Sequence, residues 1–259
     1  EDKWPKGIFV NWWVTGKGSK ISKSKGGAVP IPEAVEKYGV DAMRLYYAHI
    51  GSPHLDVIWT EDIVMNYKNS LERVILLISE LKKVDGKKKS VDDWLVSRMN
   101  EHLKKIAHEM EDYNLRELAS TVYFTIYDDL KWYIRRGGEN KKVIEETINT
   151  WLKLMNPITP HMSEELNDTK ELVSSSEWPE IDQNKISLKA NAGEQLVRTA
   201  IDGMRNVLKL AKLEKQSNGL KNKLNNQAYL KNAPKEIIKN DQKLLDELTI
   251  EDEKLRSIV

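Results

Sequence analysis

From residue 60 to 166, apolar side chains return every three or four positions, the spacing of amphipathic helices. Ile63, Tyr67, Leu71, Val74, Ile78 and Leu81 make the first stripe. Leu95, Met99, Leu103, Ile106 and Met110 make the second, behind a start at Ser90 and Asp93. Asn114, with Glu117 three residues on, has capping-box spacing. It opens a third helix carrying Leu118, Val122, Ile126, Leu130 and Ile134, closed by Gly137 and Gly138. A fourth covers about 141–155 and stops before Pro157, and Thr159-Pro160 starts a short helix reaching Leu166. Four long amphipathic helices joined by short turns predict a mainly α protein built on an up-and-down bundle.

The first 30 residues break this pattern. Ile8-Phe9-Val10 and Trp12-Trp13-Val14 are aromatic and β-branched runs that read as strands. The stretch GKGSKISKSKGG is too rich in Gly and Lys for a regular element. Pro30 and Pro32 open a helix over 33–38, Gly39 breaks it, and a second runs over 41–49 before Gly51-Ser52-Pro53. Past the bundle, 167–192 is polar and Ser-rich and reads as irregular. Helix resumes over 193–214, weakened at Gly203 by about 1 kcal/mol relative to Ala. Ser217-Asn218-Gly219 predicts a turn, and the tail from Leu220 holds two helical pieces split near Ala233-Pro234.

Composition narrows the class. Hydrophobic residues are 40% and charged residues 31%, as in a globular protein with much exposed helix. Lys+Arg 41 against Asp+Glu 40 leaves a net charge of +1, so only local clustering can point to a polyanion. The absence of cysteine excludes disulfides and thiolate metal sites. No apolar run approaches the ~18 residues of a membrane span. The chain lacks an initiator Met and opens on what reads as the interior of a larger fold, an excised fragment.

Lys17, Lys20, Lys23 and Lys25 lie between Gly16 and Gly27, interleaved with Ser19, Ser22 and Ser24 and with no acid. Ammonium groups this close repel one another. A polyphosphate among them removes that cost and engages the hydroxyl and backbone N–H donors. Composition alone leaves a solvated basic loop as an equal reading. A Walker A loop is excluded by the spacing of its glycines.

KISKS, at Lys20 to Ser24, resembles the KMSKS signature of class I aminoacyl-tRNA synthetases, with Ile21 where Met is common. WPKGIFVN before it and EAVEKYGVDAMRLYYAHIGSP after it resemble leucyl-tRNA synthetases of the archaeal and eukaryotic type. So do DLKWYIRR (129–136), WLKLMNPITPHMSEEL (151–166) and SEWPE (176–180). The resemblance covers about residues 4–213. It implies a parent that charges leucine tRNA at the expense of ATP, carried with Mg as the substrate complex, and no protein-bound metal. It makes Lys20, Ser22, Lys23 and Ser24 the ATP-binding residues, with Lys20 and Lys23 catalytic and Lys23 the stronger of the two. Gly27 departs from the family, where Asn is usual. The implied organisation is the end of a catalytic domain with signature loop and stem-contact region over 1–58. An anticodon-binding helical bundle follows over 59–168, then a linker over 169–192 and a C-terminal helical segment over 193–259. The HIGH-type motif, most of the nucleotide-binding fold and the editing domain do not occur in this sequence. The chain alone is therefore expected to be inactive, and its partners would be tRNA, ATP and the N-terminal catalytic region of the same protein, in the cytoplasm and off the membrane.

Asp41 and Arg44, in Gly-x-Asp-x-x-Arg spacing, are either a tRNA stem contact or a helix cap and a surface pair. Lys82, Lys83, Lys87, Lys88 and Lys89, with Arg135 and Arg136, are the candidate phosphate contacts of the bundle, or simply solvated ends. Trp94, Trp132 and Trp151 lie on helix stripes and read as core, and His161 reads as a packing residue. His49, His54, His102, His108 and His161 lack metal-ligand spacing. The tail resembles the helical arm of valyl-tRNA synthetases, and its Lys221, Lys223, Lys231, Lys235 and Lys239 would suit a tRNA-facing helix. A valyl- or isoleucyl-type synthetase and a non-catalytic synthetase-like tRNA-binding module are the alternatives.

Overall fold

The computed structural model describes residues 7–8, 13–16, 19–20, 30–51 and 56–256. These fall into two compact units, 1–191 and 192–259.

The first unit opens with a small sheet. Strand β1 (Val14–Gly16) pairs antiparallel with β2 (Ser19–Lys20), Thr15 opposite Lys20. Helices α1 (Ile31–Tyr38) and α2 (Val40–Ile50) then cross over to β3 (Val57–Trp59), which lies parallel to β1. Parallel strands cannot be joined by a tight turn, so the helical crossover is the geometric condition for this pair. Pro30 and Pro32 set the entry to α1, and Gly39, at φ 83, lets the chain turn directly into α2. Ser19 and Lys20 thus belong to a short hairpin strand, where the Gly- and Lys-rich stretch had predicted irregular chain throughout. Of the strand run expected at 8–14, Val14 opens β1, while Phe9, Val10 and Trp12 lie outside the described residues.

The bundle follows as α3 (Glu61–Leu81), α4 (Ser90–Glu111), α5 (Leu115–Ser120) continuing into α6 (Ile126–Arg135), and α7 (Lys141–Met155). The stripes hold with three corrections at their ends. Ile63, Met110 and Ile134 are exposed, because each sits where its stripe has rotated off the core, and Val64 and Tyr133 are buried in place of the first and last. Asn114 caps α5, its Oδ1 accepting from Glu117 N at 3.4 Å. The third helix is not uniform: 121–125 form a π-helical turn. The run Thr-Val-Tyr-Phe-Thr is crowded by β-branched and aromatic side chains. The Trp151 indole also donates to the Val122 carbonyl at 2.7 Å, competing with the helix for an acceptor.

Gly137, at φ 78, ends α6. Gly138 lies against the Tyr133 ring so closely that a Cβ would sit 2.4 Å from it. After α8 (Pro160–Glu165), residues 166–187 are irregular apart from two 3-10 turns. The bundle pins this stretch. Glu164 accepts from Val173 N and Ser174 N at 2.9 Å, Asn100 from Asp182 N, and Ser97 from Ser187 N.

Helix α9 (Leu188–Leu224) begins in the first unit and continues through the second. It passes unbroken through Ser217-Asn218-Gly219, overturning the turn predicted there. Ser217 is buried and the helix ladder supplies its backbone partners, so tertiary packing outweighs local propensity. The break falls later, at Asn225 and Asn226, where Asn226 caps α10 (Gln227–Asn232). After Pro234 comes α11 (Lys235–Arg256).

Candidate nucleic-acid interface

The signature stretch leaves β2 and re-enters described structure at Pro30. Lys20 is placed by its backbone in β2, while Ser22, Lys23 and Ser24 lie outside the described residues. What the structure defines is the anchor on the far side of that stretch.

That anchor is bonded to the bundle by polar side chains reaching backbone. The Arg44 guanidinium donates to the Ile158 carbonyl (Nε, 2.7 Å) and the Pro157 carbonyl (Nη2, 2.9 Å). Asp41 accepts from Met162 N at 2.6 Å, capping α8 rather than its own helix. Lys37 Nζ and the Tyr38 hydroxyl donate to one Glu61 oxygen at 2.6 and 2.8 Å. Beneath them lie Tyr38, Tyr46, Tyr47, Trp59 and Tyr67, mostly edge to face with ring centroids 5.1–6.2 Å apart. His49 joins this cluster through Tyr67, and burial lowers its pKa.

Beside Arg44 opens an apolar groove of about 530 Å³, lined by Tyr47, Met110, Tyr113, Leu115 and Trp178 among others. Tyr113 is 68% exposed and adopts φ 55, uncommon for an aromatic residue. A guanidinium beside exposed aromatic faces can hold a planar ring by stacking. Only chain folding brings Tyr113 and Trp178 to this groove; Trp178 sits in the SEWPE stretch, whereas no local motif marks Tyr113.

The basic candidates of the bundle occupy another end. Lys82 donates to the Leu166 carbonyl and pairs with Asp168 at 2.7 Å, Lys88 pairs with Asp93 at 3.1 Å, and Lys89 with Glu139 at 2.9 Å. Lys83 and Lys87 are exposed and make no ion pair among the described residues. Arg135 lies over the Trp132 ring, 5.6 Å from its centroid, and Arg136 is exposed at the end of the same helix. Trp94 and Trp151 are core residues and Trp132 is half-buried. His161 corrects the packing expectation: it is exposed, because the Asp41 cap turns the start of α8 so that Met162 rather than its neighbour faces inward.

Two polar networks brace the bundle. The buried Asp129 carboxylate accepts from Arg98 Nε and His102 Nε2, both at 2.9 Å. Burial alone would raise this carboxyl, but the hydrogen bond from His102 and the charge of Arg98 outweigh it and hold the group below its usual range. Asp92 accepts from the Tyr133 hydroxyl at 2.7 Å, Asn140 Nδ2 at 2.8 Å and Lys89 N at 2.9 Å. Among the described residues no His, Asp and Glu side chains are grouped to hold a metal, and no helix is long and apolar enough to cross a membrane.

Residues 92–253 match the family model for the anticodon-binding domain of tRNA ligases, and residues 1–75 match that for class I tRNA synthetases (M). The chain is 36% identical over 212 residues to the leucine–tRNA ligase of Archaeoglobus fulgidus, covering 80% of this chain and 22% of that protein. It is 35% identical over 221 residues to that of Methanocaldococcus jannaschii, covering 83% and 23%. The chain thus spans somewhat under a quarter of the length of these relatives. A crystal structure of Agrobacterium radiobacter K84 agnB2 LeuRS in ternary complex with tRNA and LeuAMS shares the fold. Its TM-score is 0.61 at 21% identity, over 68% of this chain and 24% of that one. With its matched model running through more than half of the sequence, the chain belongs to the anticodon-binding domain family of tRNA ligases.

Proposed function

We propose that this chain is the tRNA-binding part of a cytoplasmic leucine–tRNA ligase and that it also carries the ligase's ATP-contacting loop. The observation that carries this reading is the joint at Asp41 and Arg44. The helices following the signature loop are bonded into the α7–α8 turn of the bundle, so loop anchor and RNA-binding helices are one piece. Leucine as the amino acid follows from the named relatives. Lys20 and Lys23 would meet the ATP phosphates with their ammonium groups, and Ser22 and Ser24 would donate hydroxyl hydrogen bonds. Such donors accelerate reaction only as far as they grip the transition state more tightly than bound ATP. The rest of the ATP pocket would come from the N-terminal catalytic region of the same protein, and Mg would arrive with ATP. On the bundle, Arg44, Lys83, Lys87, Arg135 and Arg136 are the cations best placed for phosphate, and the groove at Tyr113 and Trp178 suits an unstacked base.

The test is titration of this chain with leucine, valine and isoleucine tRNAs at two salt concentrations. Salt-dependent binding that prefers leucine tRNA is expected. Preference for valine or isoleucine tRNA would favour the second reading, a sister synthetase, whose support is the resemblance of the tail to a valyl-type arm. Absence of binding to any tRNA would overturn both.

A further inference from the structure

Charge is sorted along the second unit. Between residues 220 and 240 there are five lysines, Lys221, Lys223, Lys231, Lys235 and Lys239, against one acid, Glu236. Between 246 and 253 there are five acids and no base. The fold turns this into geometry. Helices α9 and α11 run antiparallel, tied by Lys209–Glu251 at 2.6 Å, by Arg256 to Glu214, and by Lys223–Asp241 at 2.7 Å. Glu251 and Asp241 of α11 thus meet lysines of α9, while Glu247 and Asp252 pair within α11 with Lys243 and Arg256. The lysine-rich stretch forms the tip of the hairpin.

The five tip lysines do not play one role. Lys223 is part of the tip's construction: it pairs with Asp241, lies 4.7 Å from the centre of the Tyr229 ring, and the Tyr229 hydroxyl donates to the same carboxylate at 2.6 Å. Lys221, Lys231, Lys235 and Lys239 are exposed and make no ion pair among the described residues. Lys235 and Lys239, four residues apart on α11, share one face about 6 Å apart along its axis. By contrast, three of the five lysines in the bundle cluster have carboxylate partners.

We infer that the hairpin tip is a contact for the phosphate backbone of structured RNA, made by Lys221, Lys231, Lys235 and Lys239. Unpaired ammonium groups concentrated by folding supply the counterion-release term of binding, which does not depend on base sequence. An anionic membrane surface fits less well. The exposed apolar residues of the tip, Leu230 and Ile237, are single and about half covered, without the Trp- or Phe-bearing face of an interfacial helix.

The inference rests on the reading of this chain as an RNA binder, and the experiment separates the two. The whole chain is titrated with bulk tRNA and with a short RNA duplex of arbitrary sequence, between about 50 and 200 mM salt. The parent is compared with a variant carrying Lys221→Gln, Lys231→Gln, Lys235→Gln and Lys239→Gln. A charge-matched control carries Lys104→Gln, Lys142→Gln, Lys170→Gln and Lys189→Gln, and helicity by circular dichroism is read for all three. The tip variant should lose roughly 3 from the slope of log K against log salt and bind both RNAs about tenfold or more weakly, with the control near the parent. Parent-like binding by the tip variant, or equal losses in variant and control, overturns the inference alone. So does tip-dependent binding to anionic vesicles without any to RNA duplex. No RNA binding by the parent overturns the functional reading as well.

Discussion

Asp129→Ala tests the energetics of the bundle most directly. The Asp129 side chain is 3% exposed and serves Arg98 Nε and His102 Nε2, with His102 itself 4% exposed. Truncation leaves the imidazole donor buried without an acceptor and takes one of two carboxylates from Arg98, which keeps Glu101 at 2.7 Å. Removing one member of a buried pair costs about 3–5 kcal/mol. The retained Glu101 contact and the 29% exposure of the Arg98 side chain place this case near the lower bound, about 3 kcal/mol.

All eight tryptophans lie within residues 1–191, so tryptophan fluorescence of the intact chain reports unfolding of the first unit alone. With a urea m-value of about 2 kcal/mol/M, the midpoint should fall by about 1.5 M. Asp129→Asn keeps an acceptor oxygen and the shape, and should lose only about 1–2 kcal/mol. The pH dependence has a fixed sign. The folded carboxyl lies below its ordinary value, so its contribution is complete above the usual carboxylate range and disappears as pH falls through the folded pKa. The gap between parent and Asp129→Ala should be flat from about pH 7 to 5 and shrink below about pH 4. An Ala loss under about 1 kcal/mol, or a gap that widens in acid, would refute the assignment of Asp129 as a buried, ionised brace.

Tyr133→Phe removes the hydroxyl that donates to Asp92 and accepts from Asn140 N at 3.2 Å, and should lower stability by about 1–2 kcal/mol in the same urea assay. Gly138→Ala forces a methyl into the Tyr133 ring and should cost about 1–3 kcal/mol, with a matching change in near-ultraviolet circular dichroism. Arg44→Ala should cost about 1–2 kcal/mol, chiefly by leaving the carbonyl of buried Ile158 without its donor, and Arg44→Lys should recover less than half, since one ammonium cannot reproduce the two-pronged contact. In the proposed full-length ligase, Lys23→Ala should slow ATP–pyrophosphate exchange roughly a hundred- to thousandfold with the tRNA affinity of this chain unchanged.

The bundle was legible because burial imposes a period. Leu71, Val74 and Ile78, or Leu95, Met99 and Leu103, are spaced as they are because only one face of each helix leaves water. Helix ends were less so, since a stripe drifts around its axis and Ile63 or Met110 falls off the core without any local mark. The π-helical turn at 121–125 has no local signature, because its cause includes a tryptophan on another helix. The turn expected at Ser217-Asn218-Gly219 failed for a related reason. Propensity at three residues is worth a few kcal/mol at most, and α11 packing on α9 supplies what the local chain withholds. The basic residues were all visible, but not which of them carry carboxylate partners, since Asp168 and Glu139 meet Lys82 and Lys89 only through the fold.

The joint at Asp41 and Arg44 shows why some functional geometry leaves only half a trace in a sequence. Both side chains bond backbone: Arg44 the carbonyls of 157 and 158, Asp41 the N–H of 162. Every residue type supplies a carbonyl and all but proline supply an N–H, so the receiving segment needs a shape rather than particular side chains. Pro157 and Pro160 provide that shape by holding the α7–α8 turn open, which leaves its polar backbone atoms free to be claimed. A spacing such as Gly-x-Asp-x-x-Arg therefore advertises one half of the contact and conceals the other. Arg44 stays exposed at the surface while its two carbonyl partners lie more than a hundred residues away in sequence. The same logic makes the joint unforgiving. A backbone carbonyl cannot mutate to follow its partner, so loss of Arg44 is compensated only by another long, forked donor at the same position.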